Sequence, residues 1–271
     1  MTASVRFEDV HFTYPSGVAA LRGVSFGVEP GERLAIVGQN GAGKTTLVRH
    51  LNGIFQPASG RVLVGDEPTT GRSIADLARR VGYVFQNPDE QIFASTVRGD
   101  VEFGPRNLGY DPDEIAARTA DALEAVGLAE QADSHPLHLS LSERKRVALA
   151  GVLAMGTEIV VLDEPTTGQD ARGVALIAGV VESLTAKGRT LIAISHDMDF
   201  CAEHFDRVVV MAQGRVQADG DPRAVFARTE ALHLAAVEAP QLFRLADRLG
   251  WRDRPLRAAE FVDAFEVERR A

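Results

Sequence analysis

A single cysteine, Cys201, occurs in 271 residues. An internal disulfide framework is therefore excluded, and the scarcity fits a reducing compartment. Cys201 itself reads as a small buried apolar residue. Long apolar runs are also missing. The two longest, residues 147–156 and 173–181, stop well short of the ~20 residues a membrane span requires. The first residues, Met1-Thr2-Ala3-Ser4-Val5-Arg6-Phe7-Glu8, contain no apolar core of signal-peptide length. Excess positive charge is lacking too: 29 Lys and Arg against 38 Asp and Glu leave a formal charge of −9. That balance argues against nucleic acid as a partner and against attachment to anionic lipid by the chain's own surface. Hydrophobic residues at 45% and charged residues at 25% are ordinary for a soluble globular chain. The length holds one large domain, or one plus an appendage.

What the chain does contain is Gly38-Gln39-Asn40-Gly41-Ala42-Gly43-Lys44-Thr45, a match to the phosphate-cradling pattern Gly-x-x-x-x-Gly-Lys-Thr. It follows the apolar run Leu34-Ala35-Ile36-Val37 and precedes a helical pattern over 44–51. A strand feeding a glycine loop that feeds a helix start makes an anion site. Backbone N–H groups point inward, the helix dipole adds partial positive charge, and Lys44 supplies a full one. The glycines let the main chain wrap close to phosphate oxygens, where a Cβ would obstruct. We expect this loop, with Thr46 next in the helix, to bind phosphate, and the Thr45 hydroxyl to reach Mg²⁺. A chance glycine-rich turn would not need both the strand and the helix.

Along the chain, residues 4–37 alternate short apolar segments with turns such as Tyr14-Pro15-Ser16-Gly17 and Glu29-Pro30-Gly31-Glu32, and so predict strands. Further strands are predicted at 61–64 and 81–85. Between 88 and 156 the period turns helical, over 113–126 and more strongly over 142–155. Then follow a strand (159–162), a helix (173–187), a strand (190–194), a helix and a strand (207–211). This alternation predicts an α/β fold with a mainly parallel sheet, an N-terminal antiparallel β portion and a helical insert at about 88–156. Beyond 220, Pro222, Pro240 and Pro255 separate short helical segments. Leu242, Leu245 and Leu249 share one face, and Phe261, Val262 and Phe265 another. The expectation is a main domain over 1–220 and a small helical extension over 221–271.

Ile159-Val160-Val161-Leu162-Asp163-Glu164 is a buried strand ending in two acids. Beside a phosphate loop, one carboxylate is needed to hold Mg²⁺ and a second to orient and deprotonate the attacking water. We assign Asp163 to the metal and Glu164 to the general base. Residues 62–71 nearly repeat 160–168, but with a glycine before the acids and a short preceding strand. They read as a hairpin turn at the domain edge.

These elements, in this order, resemble the ATPase subunit of an ATP-binding-cassette (ABC) transporter, a P-loop NTPase, over about residues 4–220. Tyr14 stands where that family stacks an aromatic on adenine. Gln86, after the strand at 81–85, stands at the family's lid glutamine, which reaches Mg²⁺ and the attacking water. Leu139-Ser140-Leu141-Ser142-Glu143 occupies the place of the family signature, putting Ser140 and Ser142 at a triphosphate held by the opposite subunit. Thr167-Gly168-Gln169-Asp170 matches the loop that crosses to the partner. His196 matches the switch histidine that senses the γ-phosphate. The resemblance thus implies ATP and Mg²⁺ as cofactors, with Glu164, His196 and Gln86 catalytic and Mg²⁺ held by Thr45, Gln86 and Asp163. It implies a second ATPase subunit, and a peripheral place at the cytoplasmic face of the cell membrane with transport through separate membrane subunits.

A narrower resemblance lies in Val84-Phe85-Gln86-Asn87-Pro88-Asp89-Glu90-Gln91-Ile92-Phe93 and Asp100-Val101-Glu102-Phe103-Gly104-Pro105. It is similar to the energy-coupling-factor branch, whose complexes import vitamins, cobalt or nickel with a separate substrate-binding membrane subunit. There, a groove beside the lid glutamine receives arginine-bearing helices of the transmembrane coupling subunit. Asp89 and Glu90 have two readings, as acidic contacts to those helices or as a solvated turn. The branch also carries a C-terminal helical extension that helps pair the ATPases, where Trp251 is either an anchor or internal packing.

The chain departs from the family at its signature, normally Leu-Ser-Gly-Gly-Gln, and at Gln169, usually Leu. Side chains at Leu141 and Ser142 oppose close backbone approach to phosphate. Ser140 with Glu143 still makes a capping box, and Arg144-Lys145-Arg146 are expected to offset part of the loss. Two readings follow: an ATPase energising import, paired in a homodimer with both sites handicapped or in a heterodimer with unequal sites, or a nucleotide-binding regulatory subunit of a heterodimer with one weakly hydrolytic site. A cassette acting on DNA or ribosomes fits the acidic charge poorly.

Overall fold

The structure is a computed structural model and describes residues 5–268. In chain order its strands are β1 (Val5–Thr13), β2 (Ala19–Val28), β3 (Arg33–Val37), β4 (Ser59–Val64), β5 (Glu67–Pro68) and β6 (Val81–Val84), then β7 (Ile159–Asp163), β8 (Thr190–Ile194), β9 (Arg207–Ala212) and β10 (Arg215–Gly220). The helices begin with α1 (Lys44–Val48), α2 (Ile74–Ala78), α3 (Val97–Leu108), α4 (Pro112–Ala125) and α5 (Leu141–Met155). They continue with α6 (Ala171–Ala186), α7 (Met198–His204), α8 (Pro222–Phe226), α9 (Thr229–Leu234), α10 (Gln241–Leu249) and α11 (Ala258–Glu268).

Two sheets organise these elements. The first has the order β2-β1-β4-β5 and is antiparallel. The second has the order β10-β9-β3-β8-β7-β6, parallel except for the edge strand β10. The pleat divides the core between the faces of the second sheet. Leu34, Ile36, Ile159, Val161, Ile192 and Ile194 join a cluster with α1 and the antiparallel sheet. Their neighbours Ala35, Val37, Val160, Leu162, Leu191 and Ala193 join the cluster covered by the longer helices. Both faces are dry, so these strands read as continuous apolar runs rather than alternating ones. Arg207 ties the sheets together: its guanidinium pairs with Asp219 of β10 and donates to the Gly27 carbonyl of β2.

The near-copy at 62–71 forms the β4–β5 hairpin at the sheet edge, turning at Gly65 with φ 64. The helix after the glycine loop is shorter than its apolar pattern suggests. Arg49, His50 and Leu51 fall back to bonds three residues upstream or share them, and Gly53 turns left-handed at φ 77. The β10 strand and the short α2 carry too little periodicity to be read from sequence. Phe243 and Ala246 are the buried residues of α10, while Leu245 and Leu249 face outward, because α10 meets the core one residue out of phase with its leucines. Trp251 packs on Phe261, ring centroids 4.9 Å apart, which is the internal-packing reading of that residue. Cys201 is fully buried, and burial pushes its thiol pKa well up, as an inert apolar residue requires.

Helix α5 starts at a Ser140–Glu143 capping box and stops at Gly156 in the left-handed region. It lies tight against β6. A Cβ on Gly82 would sit 2.5 Å from a Val152 methyl and 2.7 Å from the Thr157 hydroxyl, which accepts the Gly82 N–H. Gly82→Ala is therefore expected to destabilise the protein by about 1–3 kcal/mol through overpacking. Denaturant unfolding of the variant checks this, and unchanged stability would mean that α5 is held elsewhere.

Candidate nucleotide site

Parallel strands β3, β7 and β8 end at one edge of the sheet, and each delivers polar residues there. Beyond β3 the main chain must thread between other backbones. A Cβ on Gly38 would lie 2.1 Å from the Met211 carbonyl oxygen, and one on Gly43 would lie 2.6 Å from that of Ala20. Both glycines are therefore demanded by packing, while Gly41, at φ 81 with open space around it, is demanded by backbone conformation. Three bonds hold the loop in shape. The Ala42 N–H donates to Gln39, the Gly214 N–H to the Ala42 carbonyl, and the Gln39 N–H to the Ala235 carbonyl at the end of α9. Among the described residues, the amides of Gly41, Gly43, Lys44 and Thr45 have no protein acceptor. This is the donor set an anion requires. Buried Lys44 donates to the Gly38 and Gln39 carbonyls, and burial lowers its pKa against the attraction of Glu164 and Asp163.

Asp163 ends β7 fully enclosed. Burial raises its pKa, and two hydroxyls stabilise the carboxylate: Tyr83 donates to Oδ2 at 2.9 Å and Thr45 to Oδ1 at 3.4 Å. Glu164 follows in left-handed backbone at φ 54, an uncommon state for a non-glycine residue. Two bonds fix it there. Its N–H donates to the Ile194 carbonyl at 2.9 Å, and its carbonyl accepts from the buried Lys145 ammonium at 3.1 Å. The Glu164 side chain is also buried, which raises its pKa. Oε2 accepts from the His196 N–H at 3.3 Å and the Thr167 hydroxyl at 3.2 Å. Oε1 lies 3.2 Å from His196 Nε2 yet accepts no hydrogen bond. A buried carboxylate oxygen with spare acceptor capacity, beside free loop amides, suits a water molecule next to a phosphate. Burial and the Lys44 charge lower the His196 pKa, favouring the neutral ring.

Asn40 to Thr46, Gln86, Glu164, Ile194 and His196 line one concavity. The donor set there fits a nucleotide phosphate chain; Thr45 and Gln86 line it, and Asp163 stands behind Thr45, 3.4 Å from its hydroxyl, a set of oxygens that suits Mg²⁺. Tyr14 stands beside the loop, its hydroxyl 2.7 Å from the Thr46 hydroxyl and its ring edge-on to Phe12 and Phe55. Ser140 and Ser142 are not brought to this concavity. They line another, with Gly168 and Asp170.

Asp89 and Glu90 are not bare acids: Asp89 pairs with Arg144 at 3.4 Å and Glu90 with Arg49 at 3.6 Å. The basic triplet is divided among neighbours, with Arg146 also lining the concavity of Ser140, Ser142 and Glu143. Arg144 is turned to Asp89, Lys145 to the Glu164 carbonyl and Arg146 to the Val126 carbonyl. The helix winds three consecutive cations to three different neighbours, so none hydrogen-bonds or pairs at the α5 start. Tyr83 and Lys145 were missed by sequence reasoning. Tyr83 had a signal, a lone tyrosine in a predicted strand that is otherwise apolar. Lys145 had none, since a basic run ordinarily marks a solvated face.

Residues 21–167 match the ABC transporter family. The energy-coupling factor transporter ATP-binding protein EcfA of Methanocaldococcus jannaschii is 43% identical over 251 residues, 92% of this chain and 90% of that protein. Among solved structures, CbiO1 from Clostridium perfringens, described as part of the ABC transporter complex cbiONQ, superposes with a TM-score of 0.76. It is 36% identical and matches 92% of this chain and 100% of its own. A dimeric ATP-binding cassette in a post-hydrolysis state, bound to ADP and Pi, superposes with a TM-score of 0.74 at 26% identity, over 80% of this chain and 98% of its own.

Partners of a metal-binding carboxylate commonly tune its affinity ten- to a hundred-fold. Removing one hydroxyl with Tyr83→Phe is expected to raise the Mg²⁺ concentration for half-maximal nucleotide hydrolysis by roughly ten-fold. Nucleotide affinity without Mg²⁺ should stay unchanged. Metal titration of the purified variant decides it; an unaltered Mg²⁺ requirement would leave Tyr83 a packing residue.

Proposed function

The chain belongs to the ABC transporter family, and from that premise we propose that it is the ATP-hydrolysing subunit of an energy-coupling-factor importer. Its cargo in this reading is a micronutrient, a vitamin or a cobalt or nickel ion, carried through separate membrane subunits. The reading is supported by the EcfA and CbiO1 likenesses over nine-tenths of the chain.

The observation that carries the activity is the buried, spare Glu164 oxygen beside the free amides of the phosphate loop. The amides of Gly41, Gly43, Lys44 and Thr45 and the Lys44 ammonium bind the β- and γ-phosphates of ATP, and the Tyr14 ring stacks on the base. Thr45, Asp163 and Gln86 hold Mg²⁺, which when bound neutralises charge building up on the phosphates. Glu164 orients the attacking water and accepts its proton, while Lys145 and the Ile194 carbonyl keep the carboxylate aimed. Neutral His196 stands 3.2 Å from that carboxylate, placed to sense the γ-phosphate.

The second half of each site comes from a partner ATPase, whose signature segment covers the triphosphate. The exposed apolar side chains Leu245, Leu249, Val262 and Phe265 support pairing through the C-terminal helical segment, whose Val225, Phe226, Leu232 and Phe243 pack into the same core as the sheet. Phe93 and Phe103 stack edge-on at 4.6 Å while both stay exposed, close in sequence to Asp89 and Glu90. They support a docking face there for the transmembrane coupling subunit, with a substrate-binding membrane subunit completing the complex. No described helix is long and apolar enough to cross a membrane, which suits a peripheral place at the cytoplasmic face.

A second reading, a nucleotide-binding regulatory subunit in a heterodimer with unequal sites, is favoured by the altered segment Leu139–Glu143 at positions 139–143. Glu164→Gln separates the two. Loss of the general base should cut turnover of the complex by about 10²–10⁴ with ATP binding retained. Undiminished turnover would move the protein to the regulatory reading. Lys44→Ala should weaken ATP binding at least ten-fold, as the loss of one charged hydrogen-bonding partner implies; undiminished affinity would remove the nucleotide site altogether.

A further inference from the structure

The two places where the sequence leaves the family pattern, 27 residues apart, touch each other. The Ser142 hydroxyl donates to Gln169 Oε1 at 2.6 Å, and Gln169 Nε2 donates back to the Ser142 carbonyl at 3.2 Å. This clip has a seat: a Cβ on Gly173 would lie 2.3 Å from Gln169 Oε1, so only a glycine there leaves room for the amide. A second self-contact sits one residue further along the helix start. Glu143 Oε2 accepts both the Ser140 N–H, at 2.8 Å, and the Ser140 hydroxyl, at 2.7 Å.

A serine hydroxyl has one proton to donate. Both hydroxyls at the α5 start are thus committed within the chain, and a carboxylate lies at the helix terminus whose dipole favours an anion. Arg144, Lys145 and Arg146 hydrogen-bond or pair elsewhere. Only the Leu141 and Ser142 amides have no acceptor among the described residues. A phosphate here meets these two amides and the Arg146 and Arg172 side chains that line the same concavity, but to gain either hydroxyl proton it must break an internal hydrogen bond, and it faces the Glu143 carboxylate.

We propose that Glu143 and Gln169 are positioning residues that set the rate of the opposite subunit's site, by holding the Ser140 and Ser142 hydroxyls in an inward-bonded, latent arrangement. The inference rests on the reading above that the α5 start covers a triphosphate bound by a partner ATPase. It goes further in fixing the sign of the effect: removing the Glu143 charge or the Gln169 tether speeds that site. Glu143→Gln is the discriminating change, because glutamine also serves as the third residue of a capping box while lacking the charge.

The test uses the assembled complex purified through a tag on this chain, so that whichever ATPase stands opposite is included. Phosphate release from Mg-ATP is followed for Glu143→Gln, Gln169→Leu and the double variant, each with Glu164 intact and with Glu164→Gln. The intact background reads a homodimer. The Glu164→Gln background silences this chain's own site and reads the opposite one in a heterodimer. Glu143→Gln is expected to raise kcat about ten-fold in one background, from relief of one nearby like charge. Gln169→Leu should raise it a few-fold, as for one hydrogen bond released, and the double variant more than either. Affinity for a fluorescent ATP analogue and the thermal midpoint should stay at the parent values, which a merely structural role would not allow. No gain in either background, or a fall, overturns the proposal. Failure of the parent chain to bind the analogue overturns the nucleotide-site reading instead.

Discussion

Three charged side chains, Lys44, Asp163 and Glu164, are buried at one edge of a sheet that is apolar on both faces. Burial drives each toward its neutral form, raising the two acids and lowering the lysine. Such a group of charges persists only when its members attract and every spare lone pair finds a donor. The rest of the molecule meets that demand. Strand β6 sends Tyr83 to Asp163, helix α5 sends Lys145 to the Glu164 backbone, and the turns after β7 and β8 send Thr167 and the His196 amide to the Glu164 carboxylate. One oxygen, Glu164 Oε1, is left spare.

The same arrangement explains why distant segments are linked to the phosphate loop. Lys145 belongs to the helix capped at Ser140, so that helix also fixes the Glu164 backbone. The Gln39 amide is tied to Ala235, so the C-terminal segment reaches the loop backbone directly. Both links end on main-chain carbonyls, one reached by the Lys145 side chain and the other by the Gln39 backbone amide.

Much of the fold was legible because its parallel strands are continuous apolar runs, separated by helices with a clear 3.6-residue period. The octapeptide at 38–45 and the acids at 163–164 were legible for a different reason. Glycine where a Cβ meets a carbonyl, and paired carboxylates after a dry strand, are local necessities. The face shared by Leu242, Leu245 and Leu249 was legible too, but not that α10 packs through Phe243 and Ala246 instead. The basic triplet at 144–146 looked like one electrostatic feature, yet a helix turns about 100° per residue and separated its members.

The sequence alone determined the α/β alternation, the phosphate loop and the acidic strand end, because each is a pattern of neighbours along the chain. Tertiary structure alone decided that Tyr83 and Lys145 serve the two acids, and that Ser142 meets Gln169. Those partners are 80, 19 and 27 residues apart. No periodicity encodes a contact closed by sheet order and helix docking, so such pairs become visible only once the chain is folded.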